Sequence, residues 1–210
     1  MSKGRFITLE GGEGGGKSTQ VFRLAERLRR TGLSVVATRE PGGAEGAEII
    51  RKLLVAGDPG RWDPMTELLL HFAARRDHLR RTIWPALERG NWVVCDRFAD
   101  STMAYQGYGQ GLGPAVVDSV YRLVVGDFKP DLTLILDLPA AEGLARADAR
   151  GGDNRYERMD MAFHERLRQG FLEIARREPR RCAVIDASQP ADSVTEAIAA
   201  AVRSRLSVAV

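Results

Sequence analysis

Eight consecutive residues near the N-terminus have the types and spacing to hold a polyphosphate. Gly11-Gly12-Glu13-Gly14-Gly15-Gly16-Lys17-Ser18 fits the pattern G-x-x-x-x-G-K-S/T. Glycines, lacking a Cβ, let successive backbone N–H groups wrap an anion. A helix opening after Gly16 would add its positive end. In such a loop the lysine reaches the β- and γ-phosphates and the serine hydroxyl sits on Mg²⁺. An apolar stretch precedes the run and an amphipathic one follows it, which is the context a phosphate loop requires. The pattern predicts nucleoside triphosphate binding; it leaves open what the triphosphate is used for. Glu13 stands inside the loop, where a carboxylate would repel phosphate unless it faces another partner, such as a sugar hydroxyl. Gly11 to Gly16 include no basic residue. Charge developing on a transferring phosphoryl group must then be met from elsewhere.

A second group follows the apolar run Trp92-Val93-Val94-Cys95. Asp96, at the end of a buried strand, could order a Mg²⁺ water or an acceptor oxygen. Arg97 beside it could grip an acceptor phosphate with its planar fork of donors. An ordinary strand-end ion pair accounts for these two residues equally well. The polar and aromatic cluster Ser101, Thr102, Tyr105 and Gln106 shifts the balance, because Tyr105 and Gln106 could contact a sugar and a base. Cys95 reads as a small buried strand residue. Asp137, at the end of a later apolar run, is the weaker magnesium candidate, since no Arg follows it and Pro139 opens the next element.

These residues need a scaffold, and the patterning supplies one. Short β-branched runs predict strands over 6–9, 35–38, 92–95, 132–138 and 183–185. Helical patterns cover 17–30, 44–55, 66–88, 115–125, 141–149, 159–177 and 192–206. Pro85 should kink or divide the third of these. Gly32 and Gly90 stand where helix C-caps would fall. The Gly-rich stretch 107–114 reads as a loop. Strands alternating with helices imply crossovers and a parallel sheet, hence an α/β fold. Ligands in such sheets bind beyond the carboxyl ends of the strands, where the glycine loop and Asp96-Arg97 both lie.

Composition bounds the rest. With 210 residues, 44% hydrophobic and 28% charged, the chain can bury a full core, and a single domain over 1–210 is expected. No apolar run approaches membrane-spanning length, and the N-terminus shows no signal-peptide core. Two cysteines cannot build a disulfide framework, which fits a reducing, cytoplasmic compartment. The net charge of +3 gives no argument for a nucleic-acid partner. Basic residues comprise 27 Arg and four Lys, among them Lys3. Base composition accounts for most of that excess, and phosphate recognition by Arg would account for a part.

The chain resembles bacterial thymidylate kinase, the P-loop kinase of dTMP. The stretch Val94-Cys95-Asp96-Arg97-Phe98-Ala99-Asp100-Ser101-Thr102-Met103-Ala104-Tyr105-Gln106 is similar to that family's signature segment. Thr38-Arg39-Glu40-Pro41-Gly42-Gly43 is similar to its second-strand motif, and the similarity extends over about 6–188. The resemblance implies a three-layer P-loop NTPase fold, with a five-stranded parallel sheet flanked by helices and a lid over about 146–158. It implies that ATP and dTMP give ADP and dTDP with Mg²⁺, in a homodimer whose contact could include helix 66–88. The ATP site would comprise Gly11 to Thr19 together with Arg146 near the adenine, and Ser18 and Asp96 would serve the metal. Glu13 would meet the thymidine 3′-hydroxyl. Arg97 would hold the dTMP phosphate, Thr102 would face the thymine edge, and Tyr105 would pack under the deoxyribose. Pro41 and Gly42 would shape the pocket wall, and Arg75 would contact thymine.

Two points stay open at this level. The family places an aromatic ring four residues before that Arg, where this chain has His71, with Phe72 next to it. The two positions are about 100° apart on a helix, so only one can face a pocket. Flanking similarity favours His71. The family also has two arrangements of its catalytic Arg, one in the P-loop and one on the lid, and this chain resembles the second. Arg150 matches the lid arginine best, Arg155 is a further candidate, and Gly151-Gly152 reads as a hinge. Two competing readings are a P-loop kinase with another acceptor and a nucleotide-driven switch or partitioning ATPase.

Overall fold

The structure is a computed structural model that describes residues 4–151, 154–208 and 210. Lys3 and the second half of the expected hinge, Gly152, lie outside the described residues, as does Asp153. Among the described residues the expected five-stranded parallel sheet is present: β1 (Phe6–Glu10), β2 (Val35–Arg39), β3 (Trp92–Asp96), β4 (Leu132–Asp137) and β5 (Cys182–Asp186). Their order is β2-β3-β1-β4-β5, every neighbouring pair parallel. β1, β3 and β4 are buried almost throughout, because helices cover both faces; this is why they read as continuous apolar runs rather than alternating ones.

Alternation decides which face each side chain serves. Ile7 and Leu9 pack with Leu24 and Leu28 of α1 (Lys17–Arg30). The helix late in the chain, Ala191–Leu206, adds Val194, Ile198 and Val202 to that layer. Phe6, Val93 and Cys95 point the other way. They meet Leu68 and Phe72, from the helix Pro64–His78, and Phe98. In chain order the remaining helices are α2 (Glu45–Val55), α3 (Pro64–His78), α4 (Trp84–Glu88), α5 (Ala99–Thr102), α6 (Pro114–Val124), α7 (Ala140–Asp148), α8 (Met161–Arg177) and α9 (Ala191–Leu206). α8 closes the second layer with Phe163, Leu167 and Phe171.

The helical pattern over 66–88 is divided, as Pro85 leads one to expect, but the break lies upstream of the proline. A π-helical stretch, Leu79–Ile83, separates α3 from α4, and Pro85 sits in the first turn of α4. There its missing N–H costs nothing, and the preceding turn absorbs the ring by widening. A second π-helical stretch, Met103–Gly109, continues α5 and takes in the start of what reads as a Gly-rich loop. Gln110 N–H accordingly reaches back five residues to the Tyr105 carbonyl at 2.8 Å. α8 begins at Met161, two residues later than the pattern suggests, because Asp160 caps it and accepts from Phe163 N–H at 2.6 Å. Among the described residues no helix is long and apolar enough to cross a membrane.

Candidate active site

The β1–α1 loop has the form a phosphate cradle needs. Gly16 caps α1 in the left-handed region, with φ of 77°, and no side chain caps the helix. The first N–H groups of α1 are therefore left for a ligand. Gly14 is fixed by crowding as well as by its φ of +70°: a Cβ there would lie 2.0 Å from the Gly143 carbonyl oxygen of α7. Lys17 is buried, and its Nζ donates to the Gly12 carbonyl at 2.5 Å, across the loop. Burial and the Arg97 charge lower its pKa to about 8.

β3 delivers the next group directly opposite. The register sets Leu9 beside Asp96, so the ends of β1 and β3 meet under the loop. Ser18 Oγ donates to Asp96 Oδ2 at 2.5 Å. A hydroxyl and a carboxylate in contact are the hard oxygen donors that Mg²⁺ takes, usually with waters and substrate phosphate filling the rest. Asp137 offers less, since Arg168 holds both its carboxylate oxygens, at 2.8 and 2.9 Å.

Arg97 turns the chain sharply. Its φ is +69°, a conformation costing a non-glycine residue on the order of 1–3 kcal/mol and commonly found at functional sites. The turn points its guanidinium back over the loop, with Nη1 2.8 Å from the Gly11 carbonyl and 3.1 Å from Ser101 Oγ. Nη2 lies 3.1 Å from Glu13 Oε1. The same Glu13 oxygen accepts from the Tyr105 hydroxyl at 2.6 Å. Burial opposes ionisation of Glu13, but Arg97, Lys17 and the Tyr105 hydroxyl outweigh it and bring its pKa down to about 2. The carboxylate inside the phosphate loop thus has its partners. Beneath this turn Glu10, at the end of β1, is fully buried. Burial and the neighbouring Asp100 charge push it up to about 8.

A deeper recess opens beside Arg97. Arg75 donates from Nε to Glu40 Oε2 at 2.8 Å and from Nη2 to Thr102 Oγ1 at 2.9 Å. Among the described residues its buried Nη1 finds no partner, nor does the buried carbonyl oxygen of the Gln106 side chain. Two unpaired buried polar atoms on one wall are what a polar ligand edge would satisfy. His71 lines the recess, and its Nε2 is 2.9 Å from the Tyr156 hydroxyl. Burial and the nearby Arg75 and Arg155 charges lower the His71 pKa to about 3. Phe72, the alternative, faces the core against Tyr121 and lies under the Arg75 guanidinium.

One cavity of about 320 Å³ joins the phosphate loop, the Asp96-Arg97 turn and the recess. Of the predicted residues it is lined by Glu13 to Ser18, Pro41, His71, Arg75, Asp96, Arg97, Ser101, Thr102, Tyr105, Gln106 and Arg150. Others lie outside it. Gly11 and Gly12 back onto a smaller neighbouring cavity, with His164 and Arg168. Thr19 is exposed on α1, and Gly42 is buried, where a Cβ would meet Glu48. Arg146 donates to the Ala187 and Ser188 carbonyls after β5 and to Glu142.

Arg155 is the clearest departure from the expected set. It is fully buried, paired with Glu67, and bonded to the Leu54 and Pro59 carbonyls at 3.0 Å each. Those partners hold the guanidinium away from the cavity. Residues without an assigned role also reach the cavity: Arg39, Glu40, Arg51 and Tyr156. Glu40 and Arg39 stand in the quoted second-strand motif. Arg51 and Tyr156 carry no local signal.

The family model described as Thymidylate kinase matches residues 9–198. A thymidylate kinase of Caulobacter vibrioides is 59% identical over 206 residues, covering 98% of this chain and 99% of that one. One of Methylococcus capsulatus is 53% identical over 206 residues, with 98% of each chain covered. The crystal structure of thymidylate kinase from Ehrlichia chaffeensis matches with a TM-score of 0.75 at 39% identity, over 93% of this chain and 97% of that one.

Proposed function

The chain belongs to the thymidylate kinase family, and from its site geometry we propose how its own residues divide the work of that reaction. The activity is phosphoryl transfer from ATP to dTMP, a step of nucleotide biosynthesis. The observation that carries the residue assignment is the single Glu13 oxygen shared by Arg97 and Tyr105. It joins the phosphate loop to the acceptor recess in one cavity.

In this reading the β1–α1 loop and Lys17 hold the ATP phosphates. Arg97 grips the dTMP phosphate. Glu13 and Tyr105 face the deoxyribose, while Thr102, Arg75, Gln106 and His71 face the base and Pro41 closes the wall. An oxygen of the dTMP phosphate attacks the γ-phosphorus as the bond to the β–γ bridging oxygen breaks, and ADP leaves. No general base is needed, because the acceptor phosphate is already ionised near neutral pH. Ser18 and Asp96 would hold Mg²⁺, which when bound neutralises charge on the β- and γ-phosphates. Arg150 fits the lid arginine: it lines the cavity, its ion-pair contact among the described residues is a 3.6 Å approach to Glu157, and 60% of its side chain is exposed. That pair is weak enough to exchange for a phosphate. Arg155, committed to buried partners, is not carried forward in that role, nor Phe72 at the base.

The reading includes one kinase domain over 1–210, a cytoplasmic location and a homodimer. The exposed apolar side chains Ile49, Leu69 and Leu123 on α2, α3 and α6 support the dimer. A coupled ADP-release assay over dTMP, dUMP, UMP, CMP and GMP tests the acceptor site. Preference for dTMP is expected, and equal turnover of UMP would overturn the roles given to Tyr105 and Thr102.

A further inference from the structure

Glu10 touches neither substrate in the mechanism above, yet a fully buried carboxyl group ends the strand that leads into the phosphate loop. Its two oxygens are both used. Oε1 accepts from Phe98 N–H at 2.7 Å, and Oε2 is bonded to Ser101 Oγ at 2.5 Å. Both partners belong to the turn made by Arg97. Phe98 is the next residue along the chain, and Ser101 Oγ accepts from Arg97 Nη1 at 3.1 Å. Arg97 is also the described non-glycine residue with the most positive φ, +69°. An L-residue stays in that region only when its surroundings over-determine it.

We propose that Glu10 is a positioning residue for Arg97: it pins the backbone that follows the left-handed turn and, through Ser101, sets the direction of the guanidinium. The inference rests on Arg97 as the group that grips the acceptor phosphate. The hydrogen-bond inventory makes the link directional. A guanidinium has donors only, so Ser101 must present a lone pair to Arg97. The bond between Glu10 and Ser101 leaves that lone pair free whichever oxygen supplies the proton. The arrangement therefore holds as Glu10 gains or loses its proton. A shorter or apolar side chain breaks it. A glutamine keeps it, because its carbonyl can accept from Phe98 and its amide can donate to Ser101.

The test is steady-state kinetics of the full-length enzyme, with KM for dTMP and KM for ATP measured separately. Glu10→Asp keeps the acid but, one methylene shorter, cannot reach both Phe98 N–H and Ser101 Oγ. It should raise KM for dTMP roughly tenfold, the scale of one lost charge-assisted hydrogen bond, and leave KM for ATP within about twofold. Glu10→Ala should do the same or more, while Glu10→Gln should stay near wild type. In an Arg97→Ala background, Glu10→Asp should add nothing further to KM for dTMP, because the group it positions is gone. If Arg97→Ala leaves KM for dTMP unchanged, the reading of Arg97 fails and this inference with it. If Arg97→Ala behaves as expected but Glu10→Asp changes both KM values alike, changes neither, or remains additive with Arg97→Ala, the inference alone is overturned. Should Glu10→Ala fail to fold, Glu10→Asp and Glu10→Gln decide the matter.

Discussion

Arg75 meets Glu40 at 2.8 Å with 2% and 4% of the two side chains exposed, and one terminal nitrogen of that guanidinium has no partner among the described residues. The anchoring and the vacancy belong together. Glu40 also lies 3.0 Å from His78 Nδ1 and so is itself held, which fixes the plane of Arg75. The free Nη1 is then a donor presented at a set angle, and a carbonyl of the base would complete it. Arg75→Lys keeps the charge but loses the fork. Its Kd for dTMP, measured by calorimetry, should weaken by roughly 10- to 100-fold, with ATP binding unchanged. Glu40→Ala should instead destabilise the fold by about 3–5 kcal/mol, because it strands a buried cation. An unaltered Kd for dTMP in Arg75→Lys would remove Arg75 from the base site.

Arg97→Ala should cripple both dTMP binding and turnover while ATP still binds. The guanidinium also ties the Gly11 carbonyl and Glu13, so some loosening of the loop is expected. That loosening should appear as a modest change in ATP affinity, while KM for dTMP rises about 100-fold or more. Unchanged turnover would contradict its assignment.

The two arginines of the 146–158 segment that compete for the lid role should separate cleanly. Arg150 is exposed and loosely paired. Arg150→Ala should lower kcat far more than it raises KM for ATP, the signature of a contact made in the transition state, with no change in Tm. Arg155 is sealed between Glu67 and two backbone carbonyls. Arg155→Ala should lower Tm by roughly 10 °C, from the loss of one partner of a buried pair in a chain of this size. Its kcat per folded molecule should hold nearly steady. A reversed pattern, with Arg155 governing kcat, would exchange their roles.

The parts of this site that were readable from sequence are those held by short-range geometry. The phosphate loop is contiguous, and its context is one strand and one helix. Asp96 and Arg97 end a strand whose apolar run marks it. Arg51 and Tyr156 reach the cavity only by tertiary packing, from α2 and from the segment before α8. Nothing local to either residue signals that. The contrast between Arg150 and Arg155 is the sharper case, because the sequence presents both as lid arginines. What divides them is burial by Leu54, Pro59 and Glu67, about 90 to 100 residues away in the chain. The choice between His71 and Phe72 likewise turned on helix phase. The resemblance offers two neighbouring positions, helix geometry allows only one of them to face the pocket, and the packing of Phe72 against Tyr121 determines which one faces the core.

The burial of His71 beside the Arg75 and Arg155 charges gives the last prediction, a pH dependence of stability. Unfolded, His71 takes up a proton near its ordinary 6.5; folded, burial and the charges of Arg75 and Arg155 delay that to about 3. Between those values the unfolded chain binds the additional proton. Stability from this residue is therefore complete above about pH 6.5 and is lost as the pH falls toward 3. Other groups titrate with different signs. Glu13, lowered to about 2, contributes a loss only below about 4.5. Glu10, raised to about 8, contributes a loss in the opposite direction, as pH rises through that value. The difference between wild type and His71→Phe cancels both. Urea unfolding of the two proteins at half-unit steps from pH 5 to 7.5 should give curves that converge in shape above 6.5. Below it the wild type should fall away more steeply, and the variant should gain relative stability with each step. Parallel curves across the whole range would show that His71 is free to protonate in the folded protein, and that burial beside Arg75 and Arg155 does not hold it neutral.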